Sequence, residues 1–419
     1  MKMLHRYILG MAAALAAAIL PSRAAAQSRK AAWEAYRASL DAAAGYVAAA
    51  SKLCIGEASA RVEEEGSFKG LPFVRPDASI YLGVFIRDYY YGCLTGMIPV
   101  EEMKGVYAYY KAHIDTEGPN AWQVPDVVDA YGIPAWMPGT DRPALDGNAF
   151  MVFLAALIYE REGDKAFLRE ELPYLEKLIE NTFRVDGLAY CREDFNRVGF
   201  GFQDSVHMTG HLAFCSVLFY DAAVRAERLC QEVGADASAF REVADGVRAN
   251  FLKTFWTGTF LRASDGLCKD QFDVMAAGYA VSCGLVKGRT ARKMVDAFYR
   301  YNDELQVHGF YKYVPEKWYH SPGQVWESGN CVYPTGIYQW GAYWTVGSPY
   351  LLGAILKVKG HGAAGPVLRD MLEYVIRTDG LFEECRSRDN SYHKAVHYVQ
   401  SCGAVSVCLR MLQGKEYVY

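Results

Sequence analysis

The stretch Gly199-Phe-Gly-Phe-Gln-Asp204-Ser-Val-His-Met208 presents a carboxylate on a glycine and aromatic turn ahead of a long apolar run. That pattern suits cleavage of a glycosidic bond, which needs a carboxylic acid beside the leaving oxygen and a second carboxylate across the sugar to activate water. Asp204 is the first candidate for the acid, with Phe200 and Phe202 placed to desolvate it. The competing reading is a helix cap, since Asp or Ser before a helix accepts bonds from its first free amides. Candidates for the second carboxylate are Glu383 and Glu384 in Asp379-Gly-Leu-Phe-Glu-Glu-Cys-Arg386, and Glu327 in Val325-Trp-Glu-Ser-Gly-Asn330. Glu384 and Glu327 rank close together, because Trp326 beside Glu327 has the character of a sugar-subsite wall, while a solvated acidic loop explains Glu383 and Glu384 equally well.

Arg87 and Asp88 are adjacent charges between Val84-Phe-Ile86 and Tyr89-Tyr-Tyr91, so they demand partners. The guanidinium fork serves sugar hydroxyls or, in the competing reading, a buried ion pair with other helices. Trp122, Trp136, Trp318, Trp326, Trp340 and Trp344 fall in or beside loop-like stretches. Singly each suits core packing; as a set they favour a carbohydrate cleft. His207/His211 and His393/His397 carry the i,i+4 spacing that binds zinc on a helix, yet neither holds the Glu of a zinc protease, so no metal is assigned and His207 is read as a hydrogen-bonding neighbour of Asp204. No Gly-x-Ser-x-Gly elbow, Gly-x-Gly-x-x-Gly or Walker loop occurs, and no cofactor is expected.

The elements that must position these groups repeat apolar residues at helical spacing. Trp33, Tyr36, Leu40 and Val47 form one such face; Phe167, Leu168, Leu172, Leu175 and Ile179 follow Asp164; Phe240, Val243, Val247, Phe251 and Phe255 follow Asp236. The segments 150–158 and 212–220 are apolar on nearly every side and predict buried helices, covered by the amphipathic ones. About twelve helices in two concentric layers are expected, in a single domain over 27–419, with long loops at 118–148, 182–205, 306–335 and 380–395 and an irregular strap at 55–80. Residues 1–26 read as a secretory signal peptide, basic at Lys2 and Arg6, apolar from Tyr7 to Leu20 and closing on Ala24-Ala-Ala26, which predicts a periplasmic or secreted protein. Its loss takes away Lys2, Arg6 and Arg23 and moves the formal charge from -4 to -7, which argues against nucleic acid or an anionic membrane as partner. The 11 cysteines, without a Cys-x-x-Cys pair, are expected to be mostly buried thiols.

The pattern over residues 80–410 resembles the six-hairpin glycosidase superfamily. The landmarks are Tyr81-Leu-Gly-Val-Phe-Ile-Arg-Asp-Tyr89, Asp146-Gly-Asn-Ala-Phe-Met151 with Tyr159-Glu-Arg-Glu-Gly-Asp164, Asp270-Gln-Phe-Asp-Val-Met-Ala-Ala-Gly-Tyr279, and Gln339-Trp-Gly-Ala-Tyr-Trp344. The resemblance implies an all-α (α/α)6 barrel with its site at one end, and is loosest at family level, where glycoside hydrolase family 63 and trehalase-like enzymes are the nearest in kind. It implies an acid on a Gly-Leu-Asp turn, matched by Gly201-Phe-Gln-Asp204 with one extra residue, and a base before the last helix, matched by Glu383 or Glu384. It also implies that Arg87 and Asp88 hold sugar hydroxyls. Asp146, Gln203, His207, Trp326, Trp340 and Trp344 complete the expected substrate-binding set. An oligosaccharide is the expected partner of an inverting hydrolase. The alternatives are a polysaccharide lyase using His207, Tyr190 and Arg192, and a non-catalytic sugar-binding protein.

Overall fold

The computed structural model describes residues 23–135, 144–192, 199–318 and 336–415, with side chains from Glu34 onward. Helices alternate between an outer and an inner layer. Outer α1 (Arg23–Ala58) is followed by inner α2 (Ile86–Cys93), α3 (Val100–Ala112) by α4 (Gly147–Glu162), and α5 (Lys165–Glu180) by α6 (Ala213–Val233). The same alternation continues through α7 (Ser238–Phe255) and α8 (Val274–Ser282), α9 (Gly288–Tyr299) and α10 (Ser348–Lys359), and α11 (His361–Arg377) and α12 (Val399–Leu412). The inner helices pack in the order α2, α4, α6, α8, α10, α12 and back onto α2, so the ring closes. This is the (α/α)6 toroid.

The layering follows from side-chain pattern. In α4 every residue from Gly147 to Ile158 is buried, whereas α7 buries only Phe240, Val243, Ala244, Val247, Phe251 and Phe255 along one stripe. Asp164 caps α5 as expected, its side chain accepting from the amides of Ala166 (2.8 Å) and Phe167 (3.3 Å). Asp236 sits one residue ahead of the N-cap of α7 and accepts from the Ser238 amide at 3.0 Å.

The stretches expected as long loops carry short antiparallel strands instead, because each must return its backbone polar groups to a partner while crossing the barrel end. In the strap, β1 (Ser59–Arg61) pairs with β2 (Pro72–Val74). Then β3 (Gly83–Phe85), β4 (Val127–Asp129) and β5 (Pro134–Ala135) form one sheet, and β6 (Arg184–Val185), β7 (Leu188–Cys191) and β8 (Gly210–His211) another. A five-stranded sheet joins β9 (Gln306–Val307), β10 (Phe310–Tyr311), β11 (Tyr343–Trp344), β12 (Glu383–Arg386) and β13 (His393–Val396). In it Trp344 lies opposite Cys385, and Cys385 opposite Lys394. All of these strands lie between an outer helix and the inner one that follows it, on the side of the N-terminal ends of the inner helices.

All ten described cysteines are free thiols, and all but Cys283 are buried. Among the described residues no helix is long and apolar enough to cross a membrane. The acidic total coexists with a local basic patch, since Lys287, Arg289, Arg292 and Lys293 crowd the start of α9, where all four are exposed.

Candidate active site

The turn that carries Asp204 is built from beneath. Arg87, at the start of α2, donates through Nη1 to Asp126 Oδ1 (2.8 Å) and Asp146 Oδ1 (3.1 Å), all three side chains being buried. Asp146, at the N-cap of α4, accepts with its other oxygen from the Gly201 amide at 2.9 Å, and Asp126 from the Ala144 amide at 3.2 Å. A Cβ on Gly201 would lie 2.0 Å from Arg87 Cζ, so this turn requires glycine for close approach. Phe202 packs on Tyr91 and Trp344, and its carbonyl accepts from Tyr313 Oη (2.9 Å) and Gln339 Nε2 (2.8 Å). Helix α6 begins only at Ala213, so Asp204 does not cap it. Its carboxylate instead accepts at Oδ1 from Tyr338 Oη (3.0 Å) and Gln339 Nε2 (2.6 Å). Burial pushes this carboxyl above its ordinary value, against the pull of Lys394, Tyr338, Gln339 and Arg87.

The second carboxylate comes from β12. Glu384 is 2% exposed, accepts from Tyr81 Oη at 2.8 Å through Oε2, and pairs with Lys394 Nζ at 3.0 Å through Oε1. Burial again raises its carboxyl, opposed by Lys394 and Tyr81 and reinforced by the nearby charge of Asp204. The Lys394 ammonium lies 4.0 Å from the ring centre of Tyr338, the phenol that donates to Asp204. Burial alone would weaken this ammonium, but Glu384 and Asp204 outweigh it and hold it above its ordinary value. Asp88 completes the group: it accepts from Tyr398 Oη, and burial pushes it up to about 7 against Tyr398 and Arg87, with Glu384 adding to the rise. Tyr338 holds φ +47° and Ala395, next to Lys394, φ +43°. Both are strained for residues bearing a Cβ, and such strain persists only where surrounding contacts impose it.

Consecutive strand residues point to opposite faces, and this separates the two adjacent glutamates. Glu383 turns away from Asp204 to accept from Tyr374 Oη (2.8 Å), and it pairs with His393 and lies 3.8 Å from Arg386. Trp344 is 1% exposed, closed between Tyr313, Tyr338 and Phe202, so it supports Tyr338 from below instead of offering a face to sugar. Trp340 keeps partial exposure, and Gln203 is buried within the 3-10 turn Gly201–Gln203. Asp204 takes its hydrogen bonds from Tyr338 and Gln339 rather than from His207, whose carbonyl accepts from Cys268 Sγ. The helical premise of the histidine pairs fails, since His211 lies in β8, bonded to Asp265 at 2.7 Å, and His393 opens β13. Among the described residues no three metal-ligating side chains converge. Trp136, Trp326 and Glu327, and the side chain of Trp318, lie outside the described residues. Sequence reasoning missed Tyr81, Tyr338, Gln339, Lys394 and Tyr398. Tyr81 and Gln339 stand inside quoted motifs, whereas nothing local marks Lys394 or Tyr398.

Two surface clefts lie elsewhere: one of about 380 Å³ between Phe260, Phe272 and Tyr301, and one of about 330 Å³ between Val286, Arg292 and Lys357. Among the described residues neither is lined by a carboxylate.

The fold is shared with solved glycosidases. Neither a family model nor a curated protein matches the sequence. Among solved structures, a wild-type glycosidase aligns with a TM-score of 0.63 at 14% identity, over 89% of this chain and 97% of its own. The glycoside hydrolase family 63 mannosylglycerate hydrolase of Thermus thermophilus, in complex with Tris and D-glycerate, aligns with a TM-score of 0.61 at 11% identity, over 86% of this chain and 99% of its own. The family 78 rhamnosidase of Bacillus sp. GL1 aligns with a TM-score of 0.59 at 13% identity over 89% of this chain. This chain spans about a third of that rhamnosidase, 34% of its length.

Proposed function

We propose that this chain is an exported glycoside hydrolase that cleaves an oligosaccharide or related glycoside by inversion. The observation that carries the reading is a pair of carboxylates, Asp204 and Glu384, each held by its own phenol and both under the influence of one ammonium, Lys394. Asp204 donates its proton to the leaving glycosidic oxygen as the bond from that oxygen to the anomeric carbon breaks. Glu384 takes a proton from the water whose oxygen bonds to that carbon, and the next exchange with solvent restores both groups. Burial of Asp204 favours the protonated form that an acid needs near neutrality, while Tyr81 and Lys394 favour the ionised form that a base needs. Asp88, close to Glu384, accepts from a sugar hydroxyl, and Trp340 offers a partly exposed aromatic face beside the turn. The neighbours whose titles name a rhamnosidase and a mannosylglycerate hydrolase support a glycoside as substrate. The N-terminal leader supports export, tested by sequencing the mature amino terminus, expected at Gln27.

The test is hydrolysis of a panel of neutral and uronic oligosaccharides, with reducing ends and ultraviolet absorbance followed together. Asp204→Asn and Glu384→Gln are each expected to lose about 10² to 10⁴-fold in kcat, the range of general acid–base catalysis. Retention of activity within tenfold in either refutes its role; Glu327→Gln, measured alongside, reveals whether that residue is the base. The anomer first released, read by proton NMR, checks inversion. Ultraviolet absorbance appearing together with the new reducing ends would establish a lyase, whereas hydrolysis gives reducing ends without absorbance; Tyr190, one of the groups a lyase would use, packs on His211.

A further inference from the structure

The two carboxylates have unlike partners. Asp204 receives its hydrogen bonds from neutral donors, a phenol and an amide; the Lys394 charge acts on it through space without a hydrogen bond, and Arg87 beneath it is engaged by Asp126 and Asp146. Glu384 receives one neutral phenol and one full positive charge; among the described residues its ion pair is with Lys394. A carboxylate 2% exposed loses its hydration, so the direct ammonium contact compensates for what water no longer supplies. Other described groups facing Glu384 are phenols, carboxylates and a thiol. They are Tyr81 ahead of β3, Asp88 on α2, Tyr398 at the start of α12, Asp204 and Tyr338 across the site, Cys385 on its own strand, and Tyr313.

The lysine is also held in place. Its backbone pairs with Cys385 on the strand that carries Glu384, between His393, which binds Glu383, and Ala395 in the left-handed region. Its ammonium rests over the Tyr338 ring at 4.0 Å, a cation–π contact that limits its swing and ties it to the phenol bonded to Asp204.

We propose that Lys394 is the positioning residue that divides the two roles, holding Glu384 ionised and aimed as the base while Asp204, bonded only to neutral donors, is left to carry the exchangeable proton. It acts through Glu384 and leaves the sugar to other groups. The inference rests on the hydrolase reading for its meaning in catalysis, but the arrangement it describes is testable without a substrate.

The experiment is a pH titration of the full mature chain labelled with carboxyl-¹³C glutamate, with Glu384→Gln used to assign the Glu384 resonance. Lys394→Met is expected to move the Glu384 midpoint upward by about 1 to 3 pH units, the effect of losing an opposite charge in contact, and Lys394→Arg to return it toward the parent value. Circular dichroism melting checks folding, and Lys394→Gln is read in place of the methionine variant if that one does not fold. A midpoint unmoved in the folded neutral variant overturns the proposal and leaves Lys394 a structural residue. In parallel the acidic limb of the kcat/KM profile is expected to shift upward by the same amount, a displacement that mere loss of packing would not produce. Hydrolysis with an unmoved Glu384 midpoint sinks this inference and spares the hydrolase reading; a moved midpoint in a protein silent on every sugar does the reverse.

Discussion

Replacing Arg87 with methionine separates a sugar-binding residue from a structural one. Its guanidinium reaches two carboxylates on different parts of the chain, Asp126 before β4 and Asp146 at the head of α4, with side-chain exposures of 3% and 0%. Methionine fills the volume but leaves both acids in a medium where neither can be hydrated, and burial already pushes Asp126 up to about 6 with the arginine present. Removing one partner of a buried ion pair costs about 3 to 5 kcal/mol. For a chain of this size that is about 5 °C in Tm, larger if the Gly201 turn loosens with Asp146. The measurement is thermal unfolding by calorimetry at pH 7, together with sugar affinity for the parent and the variant. Arg87→Met combined with Asp126→Asn and Asp146→Asn is expected to regain part of the loss, because no charge is then stranded and the amide that replaces the Asp146 carboxylate retains an acceptor for the Gly201 N–H. A methionine variant melting within about 1 °C of the parent, with affinity abolished, would refute the ion-pair argument and return Arg87 to the role of a hydroxyl clamp.

Asp88 has a folded pKa of about 7, above its unfolded value, so its contribution to stability is complete below about pH 4 and is lost as pH rises toward 7. Asp88→Asn is therefore expected to flatten the fall in stability across that window while reducing activity, as read by urea unfolding at several pH values; an unchanged slope counts against the burial argument. Gly201→Ala would put a Cβ 2.0 Å from Arg87 Cζ and is expected to melt lower than Gly199→Ala, whose Cβ comes nearest the flexible end of Leu212 at 2.7 Å. Glu383→Gln is expected to lower Tm with activity kept within about tenfold, because its partners Tyr374 and His393 lie behind β12, whereas Glu384→Gln loses about 10²-fold or more in kcat. Equal loss in the two variants would contradict the opposite facing of adjacent strand residues.

Much of the fold was legible because burial periodicity is local. The apolar run at 150–158 is buried all round, and the stripe Phe240 to Phe255 turns one face inward, as its spacing demands. The strands were not legible, since two to four residues are too few to display an alternation, and they form only where the crossing chain meets a partner such as Trp344 opposite Cys385. Of the candidate site, the sequence pointed to the carboxylates but not to their company. Asp204 stood out on its glycine turn, yet whether it capped a helix depended on where α6 begins, nine residues later. Trp344 looked like a sugar platform by composition and proves to be a support, because the same indole serves either use and only its neighbours decide.

By itself, then, the sequence determined the helical layering, the glycine and aromatic turn that carries Asp204, and a short set of candidate carboxylates, all matters settled by residues near one another in the chain, whereas the need for glycine at 201 comes from Arg87 far away in sequence. Which glutamate shares the candidate site with Asp204 was decided by the pleat of β12, and its cation by β13, which brings Lys394 beside Glu384. Tyr81 and Tyr338 reach the two acids from about 300 and 130 positions away along the chain. Charge, hydrogen bonding and burial set the chemistry of a carboxylate, and each depends on groups that come together only when the six hairpins close into a ring.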